Sequence, residues 1–72
     1  LTSLEATYQH ALRLIRLGNL PAAMDGILAV LRQDKTYRHN EARQVLLGLF
    51  AMLGDENAIT RQYRNELASV LF

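Results

Sequence analysis

Seventy-two residues, half of them apolar, make at most one small domain, which buries only about 60% of the surface its unfolded chain exposes. Seven Arg and one Lys against seven acids leave a net charge of +1, scattered along the chain rather than gathered in a basic stripe, so neither nucleic acid nor an anionic membrane is an expected partner. The absence of cysteine rules out disulfide stapling, thiolate zinc sites and a cysteine nucleophile within these residues, and it fits a cytosolic protein.

The first helix is expected from Ser3 to Leu17. Ser3 can cap it, because its hydroxyl can accept an orphan backbone N–H of the first turn. Leu4, Tyr8, Ala11, Leu12 and Ile15 form one apolar stripe, and Glu5, Gln9, Arg13 and Arg16 line the opposite, solvated side. Gly18 supplies the left-handed residue that commonly ends a helix. The second helix is expected from Leu20 to Gln33, with Asn19 as its cap and Pro21 in the first turn, where a missing N–H costs nothing. Leu20, Ala23, Met24, Ile27, Leu28, Val30 and Leu31 wrap most of the way round it. Gly26 costs about 1 kcal/mol relative to alanine in mid-helix, which suggests that a neighbouring helix comes close there.

Asp34 to His39 reads as a polar link, with Asn40 capping a third helix from Glu41 to Leu53 that carries Ala42, Val45, Leu46, Leu49, Phe50, Met52 and Leu53. Gly54 ends it, and Asp55 is expected to cap a fourth helix from Glu56 to Leu71. There Glu56 would lie favourably near the positive end of the helix dipole. Ile59, Tyr63, Leu67, Val70 and Leu71 give this last helix a narrow stripe, with Gln62, Glu66 and Ser69 outside it.

Two turns lie 36 residues apart in register: Leu17-Gly18-Asn19 is echoed by Leu53-Gly54-Asp55, Leu14 by Phe50, Ala22 by Ala58, Ile27 by Tyr63 and Leu31 by Leu67. A helix–turn–helix period near 34 is the signature of tetratricopeptide repeats (TPR), stacked units that bind proteins rather than carry out chemistry. The expected fold is all-α, with two TPR-like hairpins stacked as a four-helix right-handed solenoid fragment. The repeats are unequal. Arg13 and Arg16 become Leu49 and Met52, while Met24, Leu28 and Val30 become Thr60, Arg64 and Glu66. Helices two and three are thus expected to be sandwiched, and helix four to act as a polar-faced cap.

No catalytic constellation emerges. His10 and His39 lack ligand-spaced neighbours, Ser3 and Ser69 lack a nucleophile-elbow context, and the glycines form no phosphate-cradling loop. Neither a catalytic residue, a metal site nor a cofactor is assigned. His10 is expected to be packed or at the edge of the core. Arg43, beside Asp34 to Arg38, reads as a residue making an ion pair or holding loop carbonyls. Gly48 and Ala51 read as a close helix contact or a small groove, and Phe72 as an anchor for the chain end or a docking point. The longest apolar run, Val45 to Leu53, is nine residues, far short of the about 18 that suggest a membrane span. No basic n-region opens the chain, and without an initiator Met it is expected to be cut from something longer.

Gly18 to Leu28 resembles a "G-x-x-x-x-A-x-x-x-L-L" turn and second helix, and Leu31-Arg32-Gln33-Asp34-Lys35 an "R-x-D-[KR]" helix end. Ala42-Arg43-Gln44 through Leu53-Gly54 resembles "A-R-x-x-[LF]…LG". Tyr63-Arg64-Asn65-Glu66-Leu67-Ala68-Ser69-Val70-Leu71-Phe72 resembles the closing "Y-R-x-x-L-a-x-x-L-[FY]". Together these resemble the C-terminal TPR-type domain of the thioredoxin-like YbbN/CnoX family (co-chaperedoxins). The resemblance implies a bacterial cytoplasmic protein with a thioredoxin-fold domain in cis. Such a protein holds unfolded client proteins and delivers them to the GroEL-type chaperonin and DnaK-type machinery. It also places chaperonin docking on the last helix, with Arg64, Ala68 and Phe72 as exposed-face candidates.

Two further binding modes are open at this level. A peptide groove would be lined by Glu5, Tyr8, Gln9 and Leu12, then Glu41, Gln44, Val45 and Gly48, which offer no basic clamp for acidic tails. A homodimer could form through Leu14 and Leu17, because two repeats are fewer than a solenoid usually needs.

Overall fold

The computed structural model describes residues 3–72; Leu1 and Thr2, part of the opening segment read for a leader, lie outside the described residues. Four helices follow in order: α1 (Leu4–Arg16), α2 (Leu20–Gln33), α3 (Tyr37–Leu53) and α4 (Ala58–Leu71). No strand occurs among the described residues, so the architecture is an all-α helical repeat.

The first hairpin follows its punctuation. Ser3 Oγ accepts the Ala6 N–H at 3.0 Å, and Asn19 Oδ1 accepts from Ala22 at 3.4 Å. Between them Gly18, at φ +83°, closes α1: its N–H reaches Ile15 O at 3.0 Å and the Asn19 N–H reaches Leu14 O at 2.9 Å. That pair of bonds satisfies carbonyls that the end of a helix leaves orphaned. The two helices then meet at Gly26. A Cβ there would lie 3.0 Å from Ala11 Cβ, so the missing side chain is what lets α1 and α2 pack so closely.

α2 is the centre of the molecule. Ala23, Met24, Ile27, Leu28, Val30 and Leu31 are all buried, and the helix touches α1, α3 and α4. Tyr8, Ala11, Ala42, Leu46, Leu49, Phe50, Tyr63 and Leu67 complete the core around it.

The second hairpin departs from the first in several ways. Within α3, Arg38, His39 and Asn40 have φ of 52°, 54° and 72°, so the right-handed part starts only after Asn40. The right-handed helix thus begins at Glu41, as expected, but Asn40 is the last of three left-handed residues and its side chain makes no capping bond among the described residues. α4 begins later than its charges suggested. Asn57 is its cap, accepting the Ile59 N–H at 2.8 Å, whereas Asp55 and Glu56 are drawn onto Arg64 and Arg61.

Only one of the two middle helices is sandwiched. α4 rests more on α2 than on α3, and this leaves Met52 73% exposed where burial was expected. Gly48, expected in a close helix contact, has nothing within 4 Å of a built Cβ, and Ala51 is exposed as well. Thr60, expected on the polar side of α4, is instead fully buried.

Candidate functional site

Arg64, Ala68 and Phe72 stand four apart and form one row along α4, all three exposed. The row exists because Tyr63 and Leu67 turn inward to the core and fix the rotation of the helix. Phe72 ends the row with its side chain entirely in solvent, while its backbone N–H still donates to Ala68 O at 3.0 Å. Leu71, one residue earlier, is half-buried and does the anchoring that Phe72 does not. Arg64 is less free than its neighbours. Its Nη2 lies 2.9 Å from Asp55 Oδ1, and its guanidinium sits 5.5 Å from the centre of the buried Phe50 ring. Such a stack is worth about 0.5–1 kcal/mol at an exposed site, so Arg64 also ties α4 to α3.

A second cluster, at the α1–α3 junction, is one that the sequence does not announce. Tyr8 donates its hydroxyl to Glu41 Oε2 at 2.6 Å, and Tyr37 donates to Glu5 Oε2 at 2.5 Å. Arg38 pairs with Glu5 at 2.5 Å and with Glu41 at 3.6 Å, and its guanidinium lies 5.4 Å from the Tyr8 ring centre. The two tyrosine rings meet edge to face at 5.3 Å. Burial, followed by the Glu41 carboxylate, pushes the Tyr8 hydroxyl well above its ordinary pKa. The Tyr37 hydroxyl bond, then Gln9 and Arg38, hold Glu5 below the ordinary glutamate value.

These partners lie 32 or 33 residues apart in the chain. The nearest signal in the sequence is the polar loop beside Arg43. Arg43 itself makes no ion pair among the described residues; Arg38 does, because the left-handed backbone swings it back over α1. Of the expected groove residues, Glu5, Tyr8 and Glu41 are consumed in this cluster, whereas Gln9, Gln44 and Gly48 face solvent. His10 is exposed rather than at the edge of the core, and His39 lies exposed in the link, as expected. Leu17 is 74% exposed, but its expected companion Leu14 is half-buried.

Among the described residues, no group of three or more His, Asp or Glu side chains could hold a metal ion, and no helix is long and apolar enough to cross a membrane. What the surface offers is an exposed aromatic, small residues and guanidinium groups.

A tetratricopeptide-repeat family model matches residues 2–72. Domains of that kind are in general non-catalytic protein-interaction modules. No curated protein and no solved structure matches significantly.

Proposed function

The chain belongs to the tetratricopeptide-repeat family, and from that premise we propose that it is the interaction domain of a thioredoxin-like holdase of the YbbN/CnoX kind. In this reading it has no catalytic role of its own. A thioredoxin-fold domain in cis meets unfolded clients in the bacterial cytoplasm, and the helical domain links that unit to a GroEL-type chaperonin.

The observation that carries the reading is Phe72. A fully solvent-exposed aromatic closes the stretch Tyr63 to Phe72, the segment most specific to the resemblance. Exposed large apolar groups next to Arg are the usual anchors of protein contacts, since burying them on a partner removes apolar surface from water. Ala68 offers a flat approach one turn earlier, and Arg64 borders the row.

Immobilised 72-residue chain exposed to purified GroEL-type chaperonin tests this. Binding is expected, with loss of about tenfold or more on Phe72→Ala or Ala68→Arg, changes that touch no buried residue. Absence of binding, or unchanged affinity in both variants, refutes docking through α4.

A further inference from the structure

Arg38, His39 and Asn40 make one turn of left-handed backbone, at φ/ψ of 52°/48°, 54°/46° and 72°/12°. Residues with a Cβ visit that region singly, because the Cβ then crowds the following carbonyl oxygen. Three in succession, none of them glycine, must be held by contacts made elsewhere. Two local bonds brace the ends: the Tyr37 N–H reaches Asp34 O at 3.2 Å, and the Asn40 N–H reaches Thr36 O at 3.1 Å. The rest of the hold is tertiary. Arg38 reaches back to Glu5 and to Glu41 and lies over the Tyr8 ring, while Tyr37 donates to Glu5.

The same contacts tie α1 to α3. Among the described residues, every hydrogen bond and ion pair between the two helices runs through Tyr37, Arg38 or Glu41. α1 otherwise packs on α2. The Tyr37 ring and the Arg38 guanidinium also stand against Tyr8, which is fully buried.

The local chemistry of the segment favours a different arrangement. In extended backbone, the Asn40 side chain could accept the N–H of Ala42 or Arg43 and cap the right-handed helix that starts at Glu41. It makes no capping bond among the described residues while its backbone is left-handed. Arg38, His39 and Asn40 are all exposed, so no core packing opposes their movement. A local cap and a tertiary hold therefore compete for the same three residues.

We propose that residues 37–40 are a strap with two states. In the closed state the left-handed turn is held by Arg38 on Glu5 and Glu41. In the open state Asn40 takes up extended backbone and caps residues 41–53, and Arg38 leaves both carboxylates. Opening uncovers Tyr8, frees Glu5 from Tyr37 and Arg38, and leaves the Tyr8–Glu41 bond alone joining α1 to α3. Ala42, Leu46, Leu49 and Phe50 stay in the core throughout, since they lie beyond the moving segment. Such an equilibrium shifts only through what differs between its states. At His39 the difference is the handedness of the backbone; at Arg38 it is the pair of carboxylates and the ring.

Nuclear magnetic resonance on the ¹⁵N-labelled 72-residue chain tests this. Positive φ brings the amide and α protons of one residue together, so the closed strap gives strong intraresidue cross-peaks at Arg38, His39 and Asn40. Opening on the microsecond-to-millisecond scale gives relaxation dispersion. The wild type is expected to show both, with residues 37–41 and Tyr8 sharing one exchange rate. His39→Gly relieves one left-handed residue and should lower the open fraction about tenfold. Arg38→Gln removes the charge that holds the turn and should raise it about tenfold, weakening the three cross-peaks. Glu5→Gln, on the other side of the same pair, should act in the same direction, so the test stands if Arg38→Gln does not fold. A wild type without the cross-peaks overturns the proposal, as does one that has them but shows no dispersion at residues 37–41. So does a His39→Gly that opens more, or folded Arg38→Gln and Glu5→Gln proteins that both match the wild type.

Discussion

Gly26→Ala isolates the contact that joins α1 to α2. In an exposed helix this change would stabilise the protein by about 1 kcal/mol, since alanine is the better helix former. Here the new Cβ would sit 3.0 Å from Ala11 Cβ and 3.7 Å from Ala11 Cα. Carbon atoms are comfortable at about 3.5–4.0 Å, so the helices must part by about half an ångström or more. The Ala11 Cβ cannot rotate away, and Ala11 is fully buried. Overpacking of this kind costs about 1–3 kcal/mol. Taking about 2 kcal/mol for the clash and about 1 kcal/mol for the propensity gain, Gly26→Ala should lower stability by about 1 kcal/mol. For a chain of this size that is a Tm drop of about 4–8 °C.

The decisive arm is the background. With Ala11→Gly already in place, the obstructing Cβ is gone, and the same Gly26→Ala change should raise stability by about 1 kcal/mol. Urea denaturation of the four proteins gives both values and a coupling of about 2 kcal/mol. If Gly26→Ala stabilises the wild type, or acts with the same sign in both backgrounds, the close approach of the two helices is wrong.

Three more outcomes follow from local chemistry. Thr60 is fully buried and its Oγ1 has no hydrogen-bond partner, so Thr60→Val should raise stability by about 1 kcal/mol in thermal melts; a loss would mean the hydroxyl is bonded. His39 is exposed at φ 54°, where a side chain costs about 1 kcal/mol, so His39→Gly should be stabilising. A continuous right-handed helix there would make the same change destabilising by a similar amount. Glu5 titrates below its ordinary value of 4.5, and a depressed carboxyl adds stability that is present above that value and lost as pH falls through the folded one. Acid unfolding below about pH 4.5 should therefore be shallower in Tyr37→Phe, which removes the largest cause of the shift; superimposable acid limbs would rule out the Tyr37–Glu5 bond.

Most of the first hairpin is legible in the sequence. Ser3, Gly18, Asn19 and Pro21 act within a few residues of themselves, so their chemistry is written locally, and α2 begins and ends where its apolar positions do. Gly26 is readable for the same reason: a glycine in a strong helical pattern needs a neighbour to explain it. The caps of the second hairpin are harder to assign because Asp55, Glu56 and Asn57 all offer capping oxygens in succession. Which of them caps depends on where Arg61 and Arg64 lie, and those arginines take the first two.

The candidate contact surfaces divide along the same line. The i, i+4 row of Arg64, Ala68 and Phe72 follows from helical geometry alone. Its exposure does too, once Tyr63 and Leu67 are assigned to the core. The Glu5–Tyr8–Tyr37–Arg38–Glu41 cluster does not. It needs three left-handed residues to turn Arg38 over a tyrosine that lies two helices earlier in the chain, and no short-range pattern encodes that turn.

By itself the sequence determined four helices, their repeat and the central place of α2, because periodicity, caps and apolar content act over one or two turns of chain. Tertiary packing decided the rest. Met52 is apolar, yet it stays 73% exposed because α4 rests more on α2 than on α3. Burial is a property of what lies opposite a residue, and only the assembled molecule specifies that.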